Sequence, residues 1–142
     1  MIKQALFVDT SGWANYLIKT EPFYPETSQL FNQCFKNKTE LVTSNYVLAE
    51  LIALLHSPLR VSKKQQIKIM DAIKMASWVN VIHIDQATEQ RVYQFWKSRS
   101  DKNWSLVDCS SFVLMQDEGI TQAITSDHHF EQAGFIQLLK TQ

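Results

Sequence analysis

Apolar positions in this chain fall into short continuous runs separated by longer stretches of helical period. Ala5-Leu-Phe-Val8 is unbroken and ends at Asp9, the pattern of a strand covered on both faces. Thr10 to Ile18 reads as a short helix. Glu21-Pro22 breaks the chain before a second helix over Tyr24 to Lys36, with Leu30, Phe31 and Cys34 or Phe35 as its stripe. Leu41-Val-Thr43 predicts the next strand. Ser44 is placed to cap a helix whose apolar face is Val47, Leu48, Leu51, Leu54 and Leu55, and Pro58 stops it. A basic amphipathic helix follows from Ser62 to Met75, apolar at Ile67, Met70 and Ile73, with Lys63, Lys64, Lys68 and Lys74 on its other faces. Val79 to Ile84 predicts a third strand. Asp85 caps a helix carrying Val92, Phe95 and Trp96, which runs out into the polar stretch from Lys97 to Asn103. Ser105 starts another helix, apolar at Val107, Phe112, Val113 and Met115, with Gly119 as its left-handed stop. Ala123-Ile-Thr125 predicts a fourth strand, Asp127 to Ala133 a short helix, and Phe135 to Leu139 a last strand.

Strand and helix alternate almost throughout, which predicts an α/β fold: a three-layer α/β/α sandwich around a central parallel sheet of four to five strands. With no repeats or linkers, residues 1–142 are expected to form a single domain. A 45% apolar and 20% charged composition is that of an ordinary soluble globular protein. The opening apolar run is too short for a secretion signal, and no later run approaches the length of a membrane span. Cys34 and Cys109 stand far apart, so buried thiols and a reducing cytoplasm are expected.

The formal charge is zero, so any contact with RNA must come from a local basic patch or from metal. Three glycines, at 12, 119 and 134, leave no room for a dinucleotide fingerprint or a phosphate-binding P-loop. The nucleophile elbow G-x-S-x-G is absent as well. His56 and His83 are expected to be structural. Asp127-His128-His129 matches a D-H-H signature of metal-dependent phosphoesterases, but the further Asp-rich motifs of those proteins are missing. Adjacent histidines diverge on a helix or strand, so one is expected to pack and the other to be solvated.

Asp9, Glu50, Asp108 and Asp127 each fall at or just beyond a passage from strand to helix. Taken singly, the aspartates read as helix caps, and Ser105-Leu-Val-Asp108 fits the capping box. Glu50 has no cap to make. It lies on the edge of the Val47, Leu51, Leu54 stripe, where burying its charge costs several kcal/mol without a compensating cation. Jointly the four meet at the carboxyl ends of parallel strands, where open sheets form their binding crevices. Crowded carboxylates raise one another's pKa, and Mg2+ or Mn2+, both oxygen-seeking ions, resolves that conflict. Two such ions about 4 Å apart suit phosphodiester hydrolysis. Lys97, Arg99, Lys102 and Trp104 lead into this rim, where the cations would hold phosphates and the indole would stack on a base, against a plain reading as a surface loop with a packed tryptophan.

Four segments carry a family likeness: Phe7-Val-Asp-Thr-Ser-Gly-Trp13, Ser44-Asn-Tyr-Val-Leu-Ala-Glu-Leu51, Ser105-Leu-Val-Asp-Cys-Ser-Ser-Phe112, and Ile124-Thr-Ser-Asp-His-His-Phe130 running on to Phe135. In these the chain resembles the PIN-domain ribonucleases, in particular the VapC-like toxins of bacterial type II toxin-antitoxin systems. The resemblance implies a Mg2+- or Mn2+-dependent endoribonuclease whose acidic positions are Asp9, Glu50, Asp108 and Asp127. It implies supporting hydroxyls from Thr10 or Ser11 and from Thr125 or Ser126, a homodimer, and an antitoxin that blocks the acidic pocket. Val107 departs from the family, where Thr or Ser often precedes the third acid.

Two rivals are set beside this reading. A signalling receiver also holds Mg2+ in an acidic pocket, but it needs paired acids after the first strand and a lysine after the last, and Thr10 follows Asp9 here. A non-catalytic interaction module of the same fold is opposed by the intact acidic set.

Overall fold

The computed structural model describes residues 4–141; Met1 to Lys3, the start of the opening run, and Gln142 lie outside it. The elements are β1 (Ala5–Val8), α1 (Thr10–Leu17), α2 (Tyr24–Asn37), β2 (Glu40–Ser44), α3 (Asn45–His56), α4 (Lys63–Met75), β3 (Val79–Ile82), α5 (Gln86–Ser98), α6 (Leu106–Glu118), β4 (Gln122–Ile124), α7 (His129–Gln132) and β5 (Ile136–Gln137). All five strands pair in parallel, in the order β3-β2-β1-β4-β5, and helices flank the sheet as expected. From β1 the chain builds outward to β2 and β3, then returns to add β4 and β5 on the other side. The order therefore reverses between β1 and β4, the place where open parallel sheets generally form their binding crevices, at the carboxyl ends of the strands.

Central strands read as continuous apolar runs because both faces are covered. Phe7, Val8, Leu41, Ala123 and Ile124 are buried. Trp13 locks α1 onto the sheet, its Nε1 donating to Thr43 Oγ1 at 3.1 Å while that hydroxyl donates to the carbonyl of Val8. Gly12 lets α1 sit close on β4: a Cβ there would stand 2.1 Å from the carbonyl oxygen of Ile124. Ser44, Asp85 and Ser105 cap their helices as the sequence predicts, and Gly119 ends α6 with φ of 68°.

Several boundaries differ from expectation. The third strand stops at Ile82 instead of Ile84, because the Ile84 amide is taken at 2.8 Å by Asn45 Oδ1. The last strand keeps only Ile136 and Gln137, although the amides of Leu138 and Leu139 still donate to Ala123 and Thr125 beside it. The buried face of α4 is Gln66, Ile69, Met70 and Ile73, and Ile67 is half exposed. Lysine spacing hid this, since the polar Gln66 joins the core by donating to the carbonyl of Val61. In α2 the buried positions are Thr27, Phe31 and Cys34, with Phe35 turned outward.

Candidate active site

Asp9 ends β1, caps α1 and is the most enclosed of the four acids, with 7% of its surface exposed. Its Oδ1 accepts from Ser11 Oγ at 2.8 Å and from the Gly12 amide at 2.9 Å, and its Oδ2 accepts from Thr125 Oγ1 at 2.7 Å. Burial pushes its carboxyl up to about 7. The hydrogen bonds from Thr125, Gly12 and Ser11 pull the other way and are outweighed, and the neighbouring Asp127 charge adds to the rise.

The β1–β4 register, with Val8 opposite Ile124, sets Asp9 beside Thr125. Thr125 Oγ1 accepts the Asp127 amide at 3.0 Å, and Ser11 Oγ accepts the Ser126 amide at 2.9 Å. Three of the four expected hydroxyls thus hold the site directly: Ser11 and Thr125 on Asp9, and Thr10 Oγ1 on Glu50 Oε1. Ser126 enters this network through its backbone amide.

Asp108 completes the capping box of α6, its Oδ2 accepting the Ser105 amide at 3.1 Å. That same oxygen lies 3.0 Å from His129 Nδ1, which is also 3.3 Å from Asp127 Oδ1. In the tautomer with its proton on Nδ1, this ring donates toward these two carboxylates. Capping by Asp9 and Asp108 is thus compatible with a role at the rim, because a cap uses only part of a carboxylate's capacity.

The acids do not close into a dense cage. Among the described residues, one trio of potential ligands brings its donor atoms within 4.8 Å of one another, and it is Asp127, His128 and His129. Instead Thr125 links the Asp9 carboxylate to the Asp127 amide, His129 lies between the Asp108 and Asp127 carboxylates, and Thr10 holds Glu50 separately.

Residues 6–136 match the PIN domain family. This chain belongs to that family. A 23S rRNA-specific endonuclease, VapC20 of Mycobacterium tuberculosis, is 28% identical over 133 residues, which span 94% of this chain and 97% of that protein. The crystal structure of VapC20, a sarcin-ricin loop cleaving toxin, aligns with a TM-score of 0.82 over 93% of this chain and 97% of its own. FitAcB from Neisseria gonorrhoeae shares the fold, with a TM-score of 0.61 at 13% identity over 93% of this chain and 94% of its own.

Within this PIN domain the expected contact group is rearranged. Trp104 is 5% exposed, its Nε1 donates to Gln132, and Phe95 and Phe112 pack against its ring. It is a core side chain with no free face for a base, which corrects the stacking role. Arg99 lies over the same indole and forms an ion pair with Asp101, and Lys97 lies over Tyr93. His129 is the residue that sequence reasoning undervalued. His128 is solvated and His129 mostly enclosed, as expected, but the two rings do not diverge: their centroids are 4.5 Å apart. The D-H-H run was the available signal, and the assumption of a regular element concealed it, because His128 sits on a turn that precedes α7.

Proposed function

We propose that this PIN domain is a Mg2+- or Mn2+-dependent endoribonuclease, acting in the cytoplasm as the toxin of a toxin-antitoxin pair. The observation that carries the reading is Asp9: a carboxyl enclosed at the sheet's switch point, surrounded by hydroxyls, an amide and a second carboxylate, and poised near neutrality. Such a group keeps its charge at neutral pH when a cation joins it. The donor set fits a hard ion, since Asp9, Asp108, Asp127 and Glu50 offer only oxygen. VapC20's description as an rRNA endonuclease supports the same chemistry at this fold.

Asp9, Asp108 and Asp127 would hold the metal, which when bound would stabilise charge on the scissile phosphate and activate water. The chain's own part is positioning. Ser11 and Thr125 fix both oxygens of Asp9, and Thr10 fixes one oxygen of Glu50, leaving the other to join the ligands or to orient the attacking water. Lys97, Arg99 and Lys102 are the cations offered to the RNA backbone. A homodimer and an antitoxin that covers the acidic rim belong to the same proposal. Purified protein incubated with ribosomal RNA should cut it on addition of Mn2+ or Mg2+. Cleavage undiminished by excess EDTA refutes the proposal.

A further inference from the structure

Two nitrogen donors stand at the acidic rim that an all-oxygen metal centre does not use. His128 follows Asp127 on a turn and His129 opens α7, so both imidazoles come back toward the Asp127 carboxylate. Asp127 Oδ1 lies 3.8 Å from His128 Nδ1 and 3.3 Å from His129 Nδ1. Donors bound about 2.0–2.1 Å from a tetrahedral ion stand roughly 3.3–3.5 Å apart, so small side-chain rotations close this trio on one ion. The His128 side chain is 72% exposed and turns without disturbing the core. Asp108 Oδ2, 3.0 Å from His129 Nδ1, supplies a fourth donor.

We propose that Asp127, His128 and His129 form a mixed nitrogen and oxygen site for a late first-row divalent ion, with Zn2+ as its representative. Imidazole suits zinc, nickel and copper, whereas Mg2+ takes oxygen ligands and gives up its water reluctantly. The ion takes the ring nitrogen in its unprotonated form, any proton there passing to solvent. The site deepens the nuclease reading through the shared Asp127, yet ion binding is measurable whether or not RNA is cut.

The test is calorimetric titration of the tag-free full chain with Zn2+ and, separately, Mg2+, on wild type, H128N and the H128N/H129N double variant. Loss of nitrogen ligands should weaken Zn2+ by about 10-fold in H128N and about 100-fold or more in the double variant, with Mg2+ affinity in H128N within about 2-fold of wild type. Imidazole 15N resonances of both histidines should shift when Zn2+ is added. Unchanged Zn2+ affinity in H128N overturns the proposal, and because that side chain is exposed the result stands even if the double variant fails to fold. Zn2+ binding through both rings in a protein that cuts no RNA sinks the nuclease reading alone. RNA cleavage with Mg2+, together with Zn2+ affinity indifferent to H128N, sinks this inference alone.

Discussion

Thr125 donates its hydroxyl proton to Asp9 Oδ2 at 2.7 Å and accepts the Asp127 amide on the same oxygen at 3.0 Å. One side chain thus ties the first of the four rim acids to the last, across the strand pair where the sheet order reverses. Replacing it with the isosteric Thr125→Val leaves a buried carboxylate short of a donor and an amide short of an acceptor. Stability should fall by about 1–3 kcal/mol, and metal affinity or cleavage by roughly 10–100-fold. Urea denaturation and a metal titration measure the two effects.

Asp9 also makes a signed prediction about pH. Its carboxyl is raised from 3.8 to about 7 in the folded chain. Between those values the native state holds a proton that the unfolded chain has lost, so its contribution to stability is complete below 3.8 and is lost as pH rises through about 7. The full swing is on the order of 4 kcal/mol. Metal-free wild type should therefore lose stability relative to Asp9→Asn between pH 4 and about 8. Chemical denaturation of both proteins across that range measures the difference. A bound cation reverses the preference, so Mn2+ affinity should climb with pH and level off above about 7.

Gly12 is fixed by space. Gly12→Ala would push a Cβ against the Ile124 carbonyl at 2.1 Å, with the Val8 side chain at 3.0 Å, and neither can yield without moving α1 off the sheet. A loss of about 1–3 kcal/mol or more is expected, together with weakened metal binding, because the Gly12 amide also holds Asp9. A thermal melt with and without Mn2+ reads both.

Trp104 separates packing from recognition. Trp104→Ala should cost about 3–5 kcal/mol of stability. Trp104→Phe, which keeps most of the packing, should bind single-stranded RNA as tightly as wild type in a filter-binding assay. Lys97→Ala, by contrast, should weaken RNA binding and flatten its salt dependence without lowering the melting temperature.

Alternating runs of apolar residues were enough to place every strand and helix, because buried parallel strands and one-sided helices leave different periods in a sequence. The candidate acids stood out for a related reason: Asp9 directly follows β1, Asp127 lies in the turn after β4, and Glu50 sits where a helix has no use for a carboxylate. Contacts set by tertiary packing were not legible. The enclosure of Trp104 depends on Phe95, Phe112 and Gln132, which α5, α6 and α7 bring around it. The shortened third strand depends on a side chain from α3. His129 was hidden by a local matter, since the direction of neighbouring side chains is predictable on a helix or strand but not on a turn.

The central claim is that Asp9 works as a metal-held carboxylate in RNA hydrolysis, and the most direct test compares wild type with Asp9→Asn on ribosomal RNA in Mn2+ and in excess EDTA. Wild type should cut only when the ion is present, and the variant should remain folded by circular dichroism yet cut in neither condition. Wild-type rates from Asp9→Asn, or cutting that persists in EDTA, would contradict the account.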